Sequence, residues 1–123
     1  MSRYKNKNFS ARLGFALRGL AHALRTEASL KLQALAGTAA LLVLLALRPP
    51  AVWWALVILA SAAVLAAELF NTAIEHLADL LHPQQSPGIR LVKDCAAAAV
   101  LVAVLGALGV GAALLVHLLA GVP

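Results

Sequence analysis

What this chain has least of is acid and thiol. Five Asp and Glu serve 123 residues, against ten Lys and Arg. Charged residues of both signs make up only 12% and apolar residues 63%. A soluble protein this short cannot bury that much apolar surface, so composition excludes a water-soluble globule and points to a membrane-embedded helical protein. The length implies one domain over residues 1–123. With Cys95 as the single cysteine, no intrachain disulfide is possible and no oxidising compartment is implied. Standing at the start of an apolar run, Cys95 reads as a packed structural thiol. Seven of the ten Lys and Arg precede residue 32, with no aromatic platform among them. That excludes nucleic acid as the partner and favours attraction to anionic lipid head groups.

The scarce acids are not scattered. Four of the five lie between Glu68 and Asp94, a stretch flanked by two long apolar runs. Glu68, Asn71, Glu75 and Asp79 are spaced i, i+3, i+7 and i+11, which on a helix lays them along one narrow face. Lys93 and Asp94 follow after a Pro- and Gly-containing segment. Two carboxylates with an amide between them, and a lysine returned by a turn, suit a divalent cation and a phosphate chain.

The rest of the chain divides by periodicity. Met1 to Asn8 is polar and basic, with Arg3, Lys5 and Lys7, and lacks the pattern of a signal peptide; it reads as a frayed cytoplasmic end. Residues 9–25 place Phe9, Leu13, Ala16, Leu17, Leu20 and Leu24 on one face and Arg18, His22 and Arg25 opposite. That is an amphipathic helix for the membrane surface, with Ser10 as its expected N-cap. Residues 28–47 form a first span that ends at Arg48-Pro49-Pro50. Glu27 and Lys31 mark its entrance, and taken alone they read as a helix-end ion pair.

Residues 51–81 form a second span, longer than a bilayer requires, with Trp53 and Trp54 in the interfacial belt at its start. At a rise of ~1.5 Å per residue, Glu68 lies about 24 Å beyond Val52, just inside the far edge of a hydrocarbon core about 30 Å thick. An acid at that depth is expensive and points to function. His82 to Val92 reads as a turn region whose Arg90, with Lys93, marks the cytoplasmic side. Residues 95–119 form the third span. There Cys95, Ala99, Ala103, Ala107 and Gly111 recur every four residues as an expected packing stripe. His22, His76, His82 and His117 lack metal-ligand companions.

These residues suit phosphoryl transfer from a water-soluble donor to a lipid alcohol. Glu68 stands at head-group depth as an acceptor of a hydroxyl proton, and Lys93 as a neutraliser of phosphoryl charge. A small proton-linked transporter or assembly protein, or a purely structural membrane protein, also fits acids in a span.

The run Glu68-Leu69-Phe70-Asn71-Thr72-Ala73-Ile74-Glu75, then Asp79, then Lys93-Asp94 closely resembles the signature of the prokaryotic diacylglycerol kinase family, which includes undecaprenol kinases. The match extends to Phe15-Ala16-Leu17-Arg18-Gly19-Leu20 and to Glu27. The resemblance implies an all-α integral membrane kinase, with a surface helix and three transmembrane helices, working as a homotrimer with shared sites. It implies transfer from ATP, with magnesium, to a membrane lipid alcohol. Diacylglycerol is the reading taken, and undecaprenol the alternative. By resemblance Glu68 is the general base, and Glu27 and Glu75 hold the metal. Phe15, Glu27, Asn71, Glu75, Gln84, Gln85, Ser86, Lys93 and Asp94 contact the nucleotide. Lys31 and Ala97 join Glu68 against the lipid substrate. A bacterial inner-membrane location with the site on the cytoplasmic face follows from the same resemblance. The chain departs from many members at Ser86, where His is frequent, at Lys31, where Arg is common, and at Gln33 and Ala98.

Overall fold

A computed structural model describes residues 5–121. Arg3, part of the basic end noted above, lies outside them. The described residues form four helices: α1 (Phe9–Thr26), α2 (Ala28–Leu47), α3 (Ala51–Leu81) and α4 (Pro87–Leu119). The fold is all-α, and α2, α3 and α4 are each long and apolar enough to cross a membrane.

The boundaries follow local chemistry. Asn8, not Ser10, caps α1: its side chain accepts from the Ala11 N–H at 3.0 Å. Asn8 holds the extended backbone a cap needs, whereas Ser10 is already inside the helix. A single residue, Glu27, breaks α1 from α2. Its backbone is extended (φ −101°, ψ 112°), and its N–H closes α1 on the Ala23 carbonyl at 2.8 Å. Helix α2 ends where Arg48 adopts the left-handed conformation at φ 49°, its N–H bonded to the Leu44 carbonyl; Pro49 and Pro50 then prevent continuation.

The region expected to be a turn through Val92 is shorter than anticipated. Helix α4 starts at Pro87, eight residues before Cys95. Ser86 caps it, accepting from the Ile89 N–H at 3.2 Å, and Pro87 sits in the first turn, where its missing N–H is harmless. Proline and glycine at that point start the helix rather than interrupt it.

Helix α3 is the centre of the layer. Helices α2 and α4 each pack antiparallel against it without close backbone approach to one another, while α1 packs on α2 and α3. The register of α3 with α4 is set at both ends. Lys93 meets Asp79 at 2.6 Å, and the Trp53 and His117 rings lie 5.2 Å apart. Near the Trp end, Leu44, Val57 and Leu114 form a small core with Trp53, Trp54 and Val110 around it.

The buried and half-buried positions of α4 run Ile89, Lys93, Ala96, Val100, Ala103, Ala107, Val110, Leu114 and His117, with Val104 half-buried beside Ala103. These steps alternate between three and four, the period of a left-handed helix pair. The expected four-residue stripe is therefore not the intrachain seam. A step of four advances ~40° past a full turn, so the stripe walks off the seam, and Cys95, Ala99 and Gly111 are exposed. Cys95 is accordingly not a packed thiol within the chain; its neighbour Ala96 takes the buried place.

Large apolar side chains such as Leu59, Val102 and Leu108 face outward, between 64% and 70% exposed. On a soluble protein such a surface would aggregate; lipid is the solvent it suits. The apolar face of α1, carrying Phe9, Leu13 and Leu17, is likewise uncovered. Between α2 and α4 an apolar groove of about 470 Å³ runs over α3, with Gly37, Ala40, Ala107 and Gly111 among its walls.

Candidate active site

At ~1.5 Å per residue, α3 and α4 reach roughly 46 Å and 50 Å, well beyond a hydrocarbon core of about 30 Å. With the tryptophans at one interface, the excess emerges at the other as a two-helix arm. Glu75, Asp79, Lys93 and Asp94 ride on that arm, and Glu68 sits near its root.

Glu68 is the most enclosed ionisable group of the set, 3% exposed. The Ser29 hydroxyl donates to its Oε2 at 2.9 Å, joining the first turn of α2 to α3. Asn71, one turn further along α3, has its Oδ1 buried with no hydrogen-bond partner. Glu75 is half-buried, and among the described residues no hydrogen bond or ion pair engages its carboxylate. Glu27 does not cap α2 with its side chain; among the described residues its carboxylate meets only the Thr26 hydroxyl, at the long distance of 3.5 Å.

Two carboxylates and an amide oxygen are thus left with acceptor capacity unfilled. Hard oxygen donors of this kind fit magnesium, which takes one or two carboxylates and completes its shell with phosphate oxygens and water. Among the described residues no three His, Cys, Asp or Glu side chains converge on one point. The arrangement therefore fits an ion that arrives with a phosphate ligand, not one caged by protein alone. The rings of His22 and His76, at 6.4 Å, bring α1 against α3 near this level.

Lys93 is committed elsewhere: its ammonium donates to Asp79 Oδ1 at 2.6 Å. Beside it, Gln85, Ser86, Pro87, Arg90, Leu91 and Asp94 line an open hollow of about 450 Å³. Of the expected nucleotide contacts, Gln85, Ser86 and Asp94 are thereby brought together. Gln84 is exposed, its carbonyl 2.8 Å from His82 Nδ1. Phe15 is half-buried on α1, with the Arg18 guanidinium 5.1 Å from its ring centre. Lys31 and Ala97 are both exposed, on α2 and α4. No contact joins Glu68 to Lys93: Asp79, the partner of Lys93, lies about 16 Å along α3 from Glu68.

Ser29 was not anticipated from sequence, and Arg90 was read only as a marker of the cytoplasmic side, not as a wall of the hollow. Ser29 is separated from Glu68 by 39 residues, and spacing cannot pair residues on different helices. Its one visible signal was a hydroxyl two places after Glu27, at the mouth of an apolar helix.

The profile of the family described as prokaryotic diacylglycerol kinase matches residues 14–115. This chain belongs to that family. It is 34% identical over 102 residues to a protein of Synechocystis named diacylglycerol kinase, covering 82% of this chain and 58% of that protein. It is 34% identical over 85 residues to a Bacillus subtilis protein named undecaprenol kinase, covering 69% of each. The chain thus spans little more than half the length of the first relative. The match to this kinase family takes in Glu27, Glu68, Asn71, Glu75, Asp79, Lys93 and Asp94 alike.

Proposed function

We propose that this chain is a lipid kinase that transfers the γ-phosphoryl group of ATP to the hydroxyl of a membrane lipid, with diacylglycerol as substrate and phosphatidic acid as product. The observation that carries the reading is the position of Glu68. A carboxylate 3% exposed, just inside the hydrocarbon edge, stands where a lipid hydroxyl presents itself and bulk water does not. One relative's name favours diacylglycerol and the other's undecaprenol. Undecaprenol remains the second reading for that reason.

In the reaction the lipid hydroxyl oxygen bonds to the γ-phosphorus as the bond from that phosphorus to the β,γ-bridging oxygen breaks. The hydroxyl proton passes to Glu68, and ADP leaves. Lys93 exchanges Asp79 for phosphate oxygens, compensating their charge. Glu27 and Glu75 would hold magnesium, with the Asn71 amide oxygen as a further acceptor. Magnesium, when bound, neutralises phosphoryl charge and orients the triphosphate. Phe15, Gln84, Gln85, Ser86 and Asp94 enclose the nucleotide. Lys31 and Ala97 flank the lipid.

The separation of Lys93 from Glu68 along α3 supports sites shared between subunits of a homotrimer, because one γ-phosphate reaching both within a chain would have to span about 16 Å. The groove between α2 and α4, walled by small residues, supports close entry of a neighbour's helix. The basic residues of the N-terminal region, with Arg90 and Lys93 at the arm, support a cytoplasmic site on a bacterial inner membrane.

The test is transfer of labelled phosphate from ATP to diacylglycerol and to undecaprenol in mixed micelles. Magnesium-dependent labelling of diacylglycerol is expected. Labelling of undecaprenol alone would transfer the reading to the second substrate. Labelling of neither, by folded protein, would return the chain to the transporter or assembly class.

A further inference from the structure

We infer that Ser29 is a positioning residue for Glu68, orienting the base and tying it to the segment that carries Glu27. The inference deepens the kinase reading and rests on it. The Ser29 hydroxyl donates to Glu68 Oε2 at 2.9 Å. Among the described residues it is the polar group that engages this carboxylate; the remainder of the Glu68 surroundings is helix packing. A glutamate has three rotatable side-chain bonds, and packing alone does not choose which oxygen faces a substrate. A donor on Oε2 does so, leaving Oε1 to receive the hydroxyl proton.

The position of Ser29 in the chain gives the bond a second consequence. It lies in the first turn of α2, two residues after Glu27, where the chain bends between α1 and α2. The bond therefore fixes the spacing between the base and the segment carrying Glu27, and with it the spacing between acceptor and phosphate donor. A displacement of ~1 Å in such a pair can lower turnover about 10²-fold. Ser29 itself is exposed, whereas the adjacent Leu30 is 0% exposed, so Ser29→Ala removes a hydrogen bond without opening the core of that turn. That division separates orientation from stability.

The experiment compares four single variants and one double variant of the full chain in mixed micelles. Glu68→Gln comes first, and a loss of at least about 10²-fold in turnover is expected. Ser29→Ala should lower kcat about 10-fold, a change of roughly 1.4 kcal/mol in the barrier. Its KM for ATP and its thermal midpoint should stay near those of the parent. The isosteric pair Ser29→Thr and Ser29→Val then separates hydroxyl from shape, since only Thr can donate. Ser29→Thr should recover most of the lost turnover and Ser29→Val should not, and this pair decides the matter if Ser29→Ala accumulates poorly.

In a Glu68→Gln background, Ser29→Ala should bring no further loss, because coupled residues are not additive. Parent-like kcat in Ser29→Ala with an inactive Glu68→Gln would overturn the role of Ser29 while leaving the kinase reading intact. Equal loss in Ser29→Thr and Ser29→Val would overturn it too. An active Glu68→Gln would remove Glu68 as the base, and with it the role of Ser29, while the transfer itself would leave the kinase reading standing.

Discussion

Lys93 Nζ stands 2.6 Å from Asp79 Oδ1, linking the second turn of α4 to the last turn of α3. The side chains are 33% and 62% exposed, so water screens the pair and it contributes about 0–1 kcal/mol. The pair is weak enough for a phosphate chain to take Lys93 from Asp79, yet it keeps the ammonium at the end of the arm when no anion is present.

Lys93→Met and Asp79→Asn should therefore each change unfolding stability by no more than about 1 kcal/mol. Their kinetics should differ. Loss of a charged hydrogen bond to phosphate costs roughly 1.5–3 kcal/mol, so Lys93→Met should raise KM for ATP about 10- to 100-fold. Asp79→Asn should change it by no more than about 5-fold. Thermal unfolding in detergent and steady-state kinetics check both. An Asp79→Asn variant as impaired as Lys93→Met would show that nucleotide binds the pair and not the cation alone.

Glu27→Gln and Glu75→Gln should each raise the magnesium concentration needed for half-maximal activity, because each replaces a charged oxygen ligand by a neutral one. Neither side chain anchors the fold: Glu27 caps no helix with its carboxylate, and Glu75 has no hydrogen bond among the described residues. Their thermal midpoints should thus stay close to that of the parent. Activity titrated against magnesium at fixed ATP is the measurement, and an unchanged requirement in both variants would remove them from the metal site.

Helix positions, and the alignment of Glu68, Asn71 and Glu75 on α3, were legible because they depend on periodicity within one segment. The Glu68 motif was legible for the same reason: E-x-x-N-x-x-x-E is a single helix face. Partners across helices were not. Ser29 with Glu68 and Asp79 with Lys93 depend on the register between antiparallel helices, and no residue spacing encodes that register. Which helix meets the stripe on α4 was not legible either, for a related reason. Small residues every four positions show where a helix can be approached, while the seam used within the chain follows the period of the helix pair.

The start of α4 is a different case, since its signal was present. Ser86-Pro87 is an N-cap followed by proline in the first turn. Ser86→Ala should cost about 1 kcal/mol by removing the cap to the Ile89 N–H. Ser86→Asp should restore the stability, because its carboxylate caps equally well. Chemical unfolding of both variants checks this. Equal destabilisation by Ala and Asp would mean that the cap contributes nothing.

Two glycines on the groove should behave oppositely. A methyl group added at Gly37 would lie 3.6 Å from Ser61 Cβ and Oγ, an ordinary contact, so Gly37→Ala should be tolerated. Gly37→Leu should push α2 from α3 and lower the thermal midpoint. At Gly111 a Cβ would meet nothing within 4 Å inside the chain. Gly111→Leu should therefore keep its helical content yet weaken association, if a neighbour's helix enters there. Circular dichroism and size-exclusion chromatography with light scattering distinguish the two outcomes. Parent-like association of Gly111→Leu would move the interface to another face.

The last prediction concerns which chains build one site. Within a chain, Lys93 is held at Asp79, about 16 Å along α3 from Glu68, and α2 and α4 do not close over α3. One side of the polar cluster is open, and closed cyclic assembly is the usual way to complete such a surface. If the base of one subunit works with the phosphate lysine of its neighbour, Glu68→Gln chains and Lys93→Met chains should complement one another when co-assembled. A mixed trimer would then contain at least one junction where an intact Glu68 faces an intact Lys93. Assayed at ATP well below the parental KM, mixed trimers isolated through two different tags should recover a fraction of parental activity, while Glu68→Gln homotrimers stay inactive and Lys93→Met homotrimers stay far below the parent. No recovery in verified mixed trimers would mean that Glu68 and Lys93 serve a site within one chain. The nucleotide would then have to draw the α3–α4 arm towards the root of the cluster.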